Sequence, residues 1–431
     1  MPEHAGLTTP TTSRRSFLQR STAATVGGAL LGNLAIGRAA HAAGSDVLSI
    51  GLVGCGGRGS GAAANALNAD PNTRLTAVAD VFADRLAGSL TNLKKQYADR
   101  VDVPAERQFV GFDAYRQLID SGVDVVLLAT PPHFRPAHFR ACIEADKHVF
   151  VEKPVAVDAP GVRHVLETVK MSQRKNLSVV SGLCWRYDFG VRETMKRAID
   201  GAIGQIVAIQ ENYNAHGLWH RPRQEHWSDM EWQMRNWLYF TWLSGDHNVE
   251  QHVHSLDKAA WLMGEEPPTS AIGLGGRQTR TDPKFGHIFD HHAVVYEYAG
   301  GVRLYSFCRQ QDGCSSDVSD QFLGTKGICD VLRNTIRGET NWRYQGPKSN
   351  MYDQEHRELL AGIRSGNIIN NGLYMARSTM LAVMGRMATY TGKKITWDEA
   401  INSQEDLTPP AYEWGPLPTP PVAMPGITPF V

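Results

Sequence analysis

The sequence has no surplus of either charge: 44 Lys plus Arg face 44 Asp plus Glu, for a formal net charge of zero. A nucleic-acid or anionic-membrane partner needs an excess of cations on some face, so neither is expected. Cysteine is scarce, and Cys55, Cys142, Cys184, Cys308, Cys314 and Cys329 form no C-x-x-C pair. That spacing excludes a zinc ribbon and a disulfide-dense scaffold. Long apolar runs are missing too. The stretch from Ala23 to Ile36 is broken by Gly27, Gly28 and Gly32, whereas a membrane-crossing helix needs about 20 apolar residues. What is present is a chain of 431 residues, 42% hydrophobic and 20% charged. This gives room for two or three domains of about 150 residues each, with the composition of a folded chain.

Residues 1–45 read as an address label rather than as structure. Ser13-Arg14-Arg15-Ser16-Phe17-Leu18 is a twin-arginine pattern, the weakly apolar stretch follows, and Ala40-His41-Ala42 offers small residues where a signal peptidase cuts. The order predicts export by the twin-arginine pathway to the periplasm or otherwise out of the cytoplasm. The mature chain is expected to have no membrane span and, with no cysteine at the cleavage point, no lipid anchor.

Val47 to Val53 is a short apolar run of strand character, followed by Gly54-Cys55-Gly56-Gly57-Arg58-Gly59 and an alanine-rich helical stretch. This is G-x-G-x-x-G between a strand and a helix, the context its chemistry requires. Gly54 permits the tight turn, Gly56 lets backbone approach a pyrophosphate, and Gly59 lets helix and strand pack closely. Gly57 and Arg58 lie between them at the helix N-terminus, whose unpaired N–H groups suit phosphate. A second apolar run, Leu75 to Ala79, ends in Asp80, placed to accept hydrogen bonds from a ribose. The next three residues, Val81-Phe82-Ala83, supply no cation for a 2′-phosphate. NAD is therefore expected over NADP.

The alternation continues with a strand at 123–129, a helix at 136–145, a strand at 148–151 and another at 177–183. It predicts a Rossmann doubly wound parallel sheet over 46–184, with ligands at the strands' carboxyl ends. Thr130, Pro131 and His133 lie at one such end, Glu152 and Lys153 at another, and all five join the expected cofactor-binding residues. Strand-like runs at 205–212, 271–275, 291–298 and 302–307 then predict a second α/β domain, 185–395, with a large, mostly antiparallel sheet. Arg303, Tyr305 and Phe307 alternate with Leu304 and Ser306. That open face is expected either to cover another subunit of a homo-oligomer or to stay half solvated. Residues 351–365 and 374–390 read as amphipathic helices packing back on the first domain, and 396–431 as a proline-rich extension.

Gly54 to Gly59, Asp80, Ala129-Thr130-Pro131, Lys147-His148-Val149 and Glu152-Lys153-Pro154, with a later histidine segment, resemble the glucose–fructose oxidoreductase, inositol dehydrogenase and MocA (Gfo/Idh/MocA) family. The likeness runs from about Val47 to Glu399. It implies a nucleotide-binding domain, an α/β domain with an open sheet, and sugar or cyclitol substrates. The family carries Asp-x-x-x-His-x-x-Asp in the segment Gly245 to Asp257; His254 and Asp257 match, Glu250 replaces an aspartate and His252 a glycine.

If that segment is one helix, Glu250, His254, Asp257 and Trp261 share a face. Oxidising a carbinol requires a base for the hydroxyl proton, and His254 has a suitable intrinsic pKa. The Lys153 ammonium stabilises developing alkoxide charge, and Glu250 or Asp257 orients the imidazole. Trp185, Arg186 and Tyr187, which follow the strand 177–183, are candidates to bind substrate together with His247 and His254. The spacing of His247, His252 and His254 is not H-E-x-x-H, so no metal site is expected. The reading is an NAD(P)-dependent oxidoreductase acting on a carbohydrate, with tightly bound NAD. Two alternatives stand beside it: an NAD-dependent glycosidase that oxidises, eliminates, hydrates and reduces without net redox change, and a non-catalytic sugar-binding relative.

Overall fold

The structure is a computed structural model and describes residues 47–431; the twin-arginine pattern lies outside the described residues. Six strands, β1 (Leu48–Val53), β2 (Thr73–Asp80), β3 (Gln108–Val110), β4 (Val125–Leu128), β5 (His148–Val151) and β6 (Val179–Ser181), form one sheet. Their order is β3-β2-β1-β4-β5-β6, and every pairing is parallel. The cause is legible in the residues: β1 and β4 are unbroken apolar runs buried almost throughout, as strands covered on both faces must be. The cover is α1 (Gly57–Ala69), α2 (Ala83–Gln96), α3 (Ala114–Asp120), α4 (Arg135–Glu144) and α5 (Ala159–Arg174). The strand order reverses beside β1, which opens a crevice at the carboxyl ends of β1 and β4.

After α6 (Phe189–Ile199) the chain builds a mixed sheet of nine strands. These are β7 (Ile206–Ala215), β8 (Ser270–Gly276), β9 (His291–Glu297), β10 (Arg303–Gln310), β11 (Asp317–Gly324), β12 (Gly327–Asp330), β13 (Thr335–Gly338), β14 (Trp342–Arg343) and β15 (Ile395–Thr396). The order is β14-β13-β12-β11-β7-β10-β9-β8-β15, and β7 with β10 is the parallel pair in an otherwise antiparallel sheet. In β10, Leu304, Ser306 and Cys308 are buried while Arg303, Tyr305 and Phe307 stand on the opposite, open face.

Between β7 and β8 lie α7 (Asp229–Arg235), α8 (Thr241–Ser244), α9 (His247–Glu250) and α10 (Val253–Leu262). The single helix expected across Gly245 to Asp257 is corrected here. Gly245 and Asp246 adopt positive φ, and a turn at Gln251–His252 separates two short helices. Glu250 and His254 therefore sit on different helices. All six cysteines are free thiols.

The two lobes are joined by α11 (Met351–Ser365) and α12 (Gly372–Thr391). Almost every residue of α12 from Met375 onward is buried, because the helix lies between α5 of the first lobe and β8, β9 and α10 of the second. Arg386, 0% exposed, donates to the Val157 carbonyl at 2.7 Å and pairs with Glu405. Beyond α13 (Trp397–Asn402) the chain is extended and crosses between lobes. Leu407 N donates to Asp158 at the start of α5, at 3.0 Å, and Leu417 N donates to Asp229 of α7 at 3.1 Å.

One buried group resists ionisation. Glu211 of β7 faces Asp320 of β11, with Lys258 Nζ 3.1 Å from Asp320 Oδ2. Burial, then the Asp320 charge, pushes the Glu211 carboxyl well above the usual carboxylate range. A carboxyl whose folded pKa is raised contributes stability that is complete below its unfolded value and is lost as pH rises through the folded one. Glu211→Gln should flatten the fall in Tm as pH rises above the ordinary carboxylate range, as read by differential scanning fluorimetry. Superimposable wild-type and variant curves would remove Glu211 from the pH dependence.

Candidate active site

The nucleotide cradle is built by glycines that side chains would fill. Gly54 has φ of 95°, and a Cβ there would lie 2.7 Å from the Ala129 carbonyl carbon and the Thr130 nitrogen. A Cβ on Gly59 would lie 1.8 Å from Gly54 O, so only glycine lets α1 close on β1. Helix α1 starts at Gly57 with Gly56 as its N-cap and no side chain capping it, leaving its first N–H groups for an anion. Asp80 ends β2, 8% exposed, and accepts from Cys55 N at 2.6 Å and Phe82 N at 2.8 Å. The cradle, the unpaired helix terminus and the buried acid fit a dinucleotide.

These residues line a cavity of about 390 Å³. Thr130 and Pro131 continue it, Phe82, Phe112 and Phe134 form its sides, and Trp219, Arg221, Met234 and Trp237 reach it from the second lobe. The C-terminal segment closes over the rim: Trp414 stacks on Phe82 at 5.5 Å and packs against Phe112 at 4.9 Å. His133, expected to touch cofactor, is instead bonded to Tyr412 Oη at 2.8 Å and packed edge-on to Trp242. It anchors that segment. Several cavity residues lay outside the sequence argument, Arg221 and Arg85 among them. Arg85 lines the wall with a buried Nη2 that lacks a partner; it follows Asp80 by just over one helical turn, beyond the three residues inspected for a cation.

Arg58 and Glu152 meet each other. Arg58 pairs with Glu152 and, at 3.1 Å, with Glu355 of α11. Burial opposes ionisation of Glu152, but Arg58 and Arg135 outweigh it and hold the carboxyl below its ordinary value. Glu355, buried beside Glu152, is pushed well above the usual range.

Lys153, past the end of β5, donates to the Glu250 carbonyl at 2.7 Å and to Glu250 Oε1 at 3.0 Å. Each lobe thus supplies one member of a half-buried ion pair. His254 opens α10, and its Nδ1 has no hydrogen-bond partner. Burial, then the cations of Lys153, Lys258 and Arg58, hold this imidazole well below the usual histidine range. Lys258 Nζ donates to the His254 carbonyl at 2.5 Å and fixes the turn beneath it.

Several expected roles are corrected. Asp257 does not orient His254: its carboxylate is 1% exposed, gripped by Arg186 at 2.8–3.1 Å and by Ser378 at 2.8 Å. Arg186 is spent on that pair and on Glu265, with its guanidinium stacked on Tyr374. Tyr187 is buried and donates to Asn371. His247 is buried against Asp246. None of these four side chains presents itself to a substrate. Trp185 lies under Lys258 and lines a separate groove with Arg333, Arg343 and Tyr344. Glu250 holds Lys153 rather than His254.

A model of an oxidoreductase family with an NAD-binding Rossmann fold matches residues 48–181, and its companion, the C-terminal alpha/beta domain, matches residues 196–391. The inositol 2-dehydrogenase of Rubrobacter xylanophilus is 28% identical over 290 residues, 67% of this chain and 72% of that protein. The 2,7-anhydro-N-acetylneuraminate hydratase of Escherichia coli is 26% identical over 201 residues, and the match spans half of that relative and 46% of this chain. The aldose-aldose oxidoreductase of Caulobacter crescentus shares the fold with a TM-score of 0.64 at 18% identity, over 81% of this chain and 99% of that one.

The cradle makes a contrasting pair of predictions. Gly59→Ala, with its impossible approach to Gly54 O, should cost about 3 kcal/mol in urea unfolding and abolish nucleotide binding. Gly57→Ala meets nothing within 4 Å and should stay within about 0.5 kcal/mol of wild type. Equal stabilities would mean that the turn relaxes.

Proposed function

The chain belongs to the Gfo/Idh/MocA oxidoreductase family, and we propose that it moves a hydride between NAD and a carbinol carbon of a sugar, cyclitol or sugar derivative. The observation that carries this reading is the Lys153–Glu250 pair, which sets an ammonium between the two lobes beside the cradle. NAD supplies the hydride acceptor. Gly54 to Gly59 hold its diphosphate and Asp80 its ribose. His254, kept neutral by burial and neighbouring cations, takes the hydroxyl proton at a ring nitrogen. Lys153 donates a hydrogen bond to the oxygen as charge builds on it, and Glu250 keeps the ammonium aimed. The N-terminal twin-arginine pattern supports an exported protein, and the open face carrying Arg303, Tyr305 and Phe307 supports a homo-oligomer.

A second reading is favoured by the cover over the cavity. Trp219 and Trp237 line the cavity from the second lobe, and Trp414 from the chain's end stacks on Phe82 of its wall. Enclosure suits a retained cofactor and a redox-neutral reaction on a glycoside, in which His254 returns the proton it removed. A panel of free sugars, cyclitols and chromogenic glycosides separates the readings. NADH absorbance growing with free sugars supports net oxidation, and aglycone release without NADH supports the closed cycle. Silence in both assays, with the nucleotide bound, would sink both.

Three further outcomes follow from the geometry. Lys153→Ala should lower kcat by about 10²- to 10³-fold while the NAD Kd moves less than about threefold; undiminished turnover would remove Lys153 from the mechanism. The acid limb of kcat/KM should lie below the ordinary imidazole value of about 6.5, because His254 stays neutral as pH falls through that range. A limb at or above it would point to another group. Trp414→Ala should speed NAD release by about fivefold in stopped-flow dilution, the loss of one aromatic contact of about 1 kcal/mol; an unchanged rate would show that the segment does not retain the nucleotide.

A further inference from the structure

A separate constellation sits on the second lobe, behind α9. The Asp246 carboxylate, 0% exposed, gathers His247 from the next position and His292 from β9. Its Oδ1 lies 2.7 Å from His247 Nδ1 and 3.2 Å from His292 Nε2. One donor atom from each of the three residues falls within 4.8 Å of the others. The sequence hides this grouping because His292 is remote from the Asp246–His247 pair.

The hydrogen bonds around these atoms do not close. Thr389 Oγ1 donates its single proton to the Arg386 carbonyl at 3.0 Å, so in its 2.9 Å contact with His292 Nδ1 the ring nitrogen is the donor. His292 Nε2 lies 3.2 Å from the Asp246 carboxylate oxygen without making a hydrogen bond to it. His247 adds two more ring nitrogens without hydrogen-bond partners, on a side chain only 3% exposed; the short approach of Nδ1 to Asp246 lacks the angles of a hydrogen bond. Polar atoms left unpaired at this depth are costly. The second carboxylate oxygen is already fixed by Tyr390 Oη at 2.5 Å and Phe289 N at 2.9 Å, the orientation an outer partner gives a metal-ligating carboxylate.

We propose that Asp246, His247 and His292 bind a divalent transition-metal ion, zinc by preference. Two imidazole nitrogens and a carboxylate oxygen form a zinc-type donor set. Bonds of about 2.0–2.2 Å place tetrahedral donors roughly 3.3 Å apart; the Asp246–His292 separation already matches, the His247 ring needs to withdraw from Asp246 by about half an ångström, and the two imidazole nitrogens, within 4.8 Å of each other, close on the ion by up to about 1.5 Å. The ion clips the start of α9 to β9 and, through Thr389 and Tyr390, to α12. Its role is structural: α9 ends in Glu250, which holds Lys153. The proposal stands whether or not the redox reading does.

The test is elemental analysis of the full-length protein purified from zinc-supplemented culture and dialysed against metal-free buffer. About one equivalent of zinc per chain is expected, falling below about a tenth in His292→Ala and Asp246→Asn. A strong chelator should lower Tm, and added zinc should restore it. Background metal in the wild type, or equal metal in wild type and both variants, overturns the proposal. If the variants do not fold, Co(II) added to chelator-stripped wild type decides: visible absorption bands of a tetrahedral nitrogen and oxygen site support it, and the featureless spectrum of the aquo ion overturns it.

Discussion

Lys153 and Glu250 come from different lobes, and on the proposed reading their contact fixes where chemistry occurs. An ammonium half-buried at the end of a parallel strand needs partners to replace its lost hydration. Glu250 provides two, the dipole of its carbonyl and the charge of its carboxylate. The pair works only if the lobes keep their register, which explains what surrounds it. Helix α12 is buried along nearly its whole length between them. Arg386 reaches from it to Val157 and Glu405, and Arg58 joins α1 to α11 through Glu355. Few of these contacts touch a ligand, yet each limits how far Lys153 can drift from His254.

The parts visible in the sequence were those determined by short-range pattern. Unbroken apolar runs placed the parallel strands, and the glycine turn before α1 announced itself by spacing because backbone sterics leave it no other composition. Strands β11 to β14 gave little signal: Asp317-Val318-Ser319-Asp320-Gln321 alternates poorly, and β11 begins with two exposed residues. The break between α9 and α10 was also hidden. Nothing in His247 to His254 forbids a helix locally, so the turn at Gln251–His252 leaves no mark in the sequence; the positive φ at Gly245 and Asp246 and the tertiary contacts of Asp246 fix where α9 begins.

Side-chain roles were harder to read, and for one physical reason. Charged residues near a motif look available in a sequence, whereas in a folded lobe most are already paired. Asp257 and Arg186 satisfy each other, and Arg186 also stacks on aromatic rings. His133 is taken up by Tyr412, a residue from the far end of the chain. Sequence spacing showed Lys153 and His254 correctly as neighbours of a strand end and a polar segment. It carried no information on which carboxylate would face which cation.

The same accounting changes how the adenosine end discriminates. Asp80 alone repels a 2′-phosphate, and that was the basis for favouring NAD. In the folded chain, backbone N–H groups of Cys55 and Phe82 already occupy one lone pair on each Asp80 oxygen, and burial pushes its carboxyl above the ordinary value. Arg235 is neutralised by Asp84 and Glu231, but Arg85 lines the cavity with an unpartnered Nη2, and Arg221 faces the same space from the other lobe. Burial and those like-charged guanidinium neighbours, partly offset by Asp80, lower the Arg85 pKa, so an anion near it is favoured electrostatically. On the proposed dinucleotide reading, Asp80 and the Arg85–Arg221 pair act on a 2′-phosphate in opposite directions.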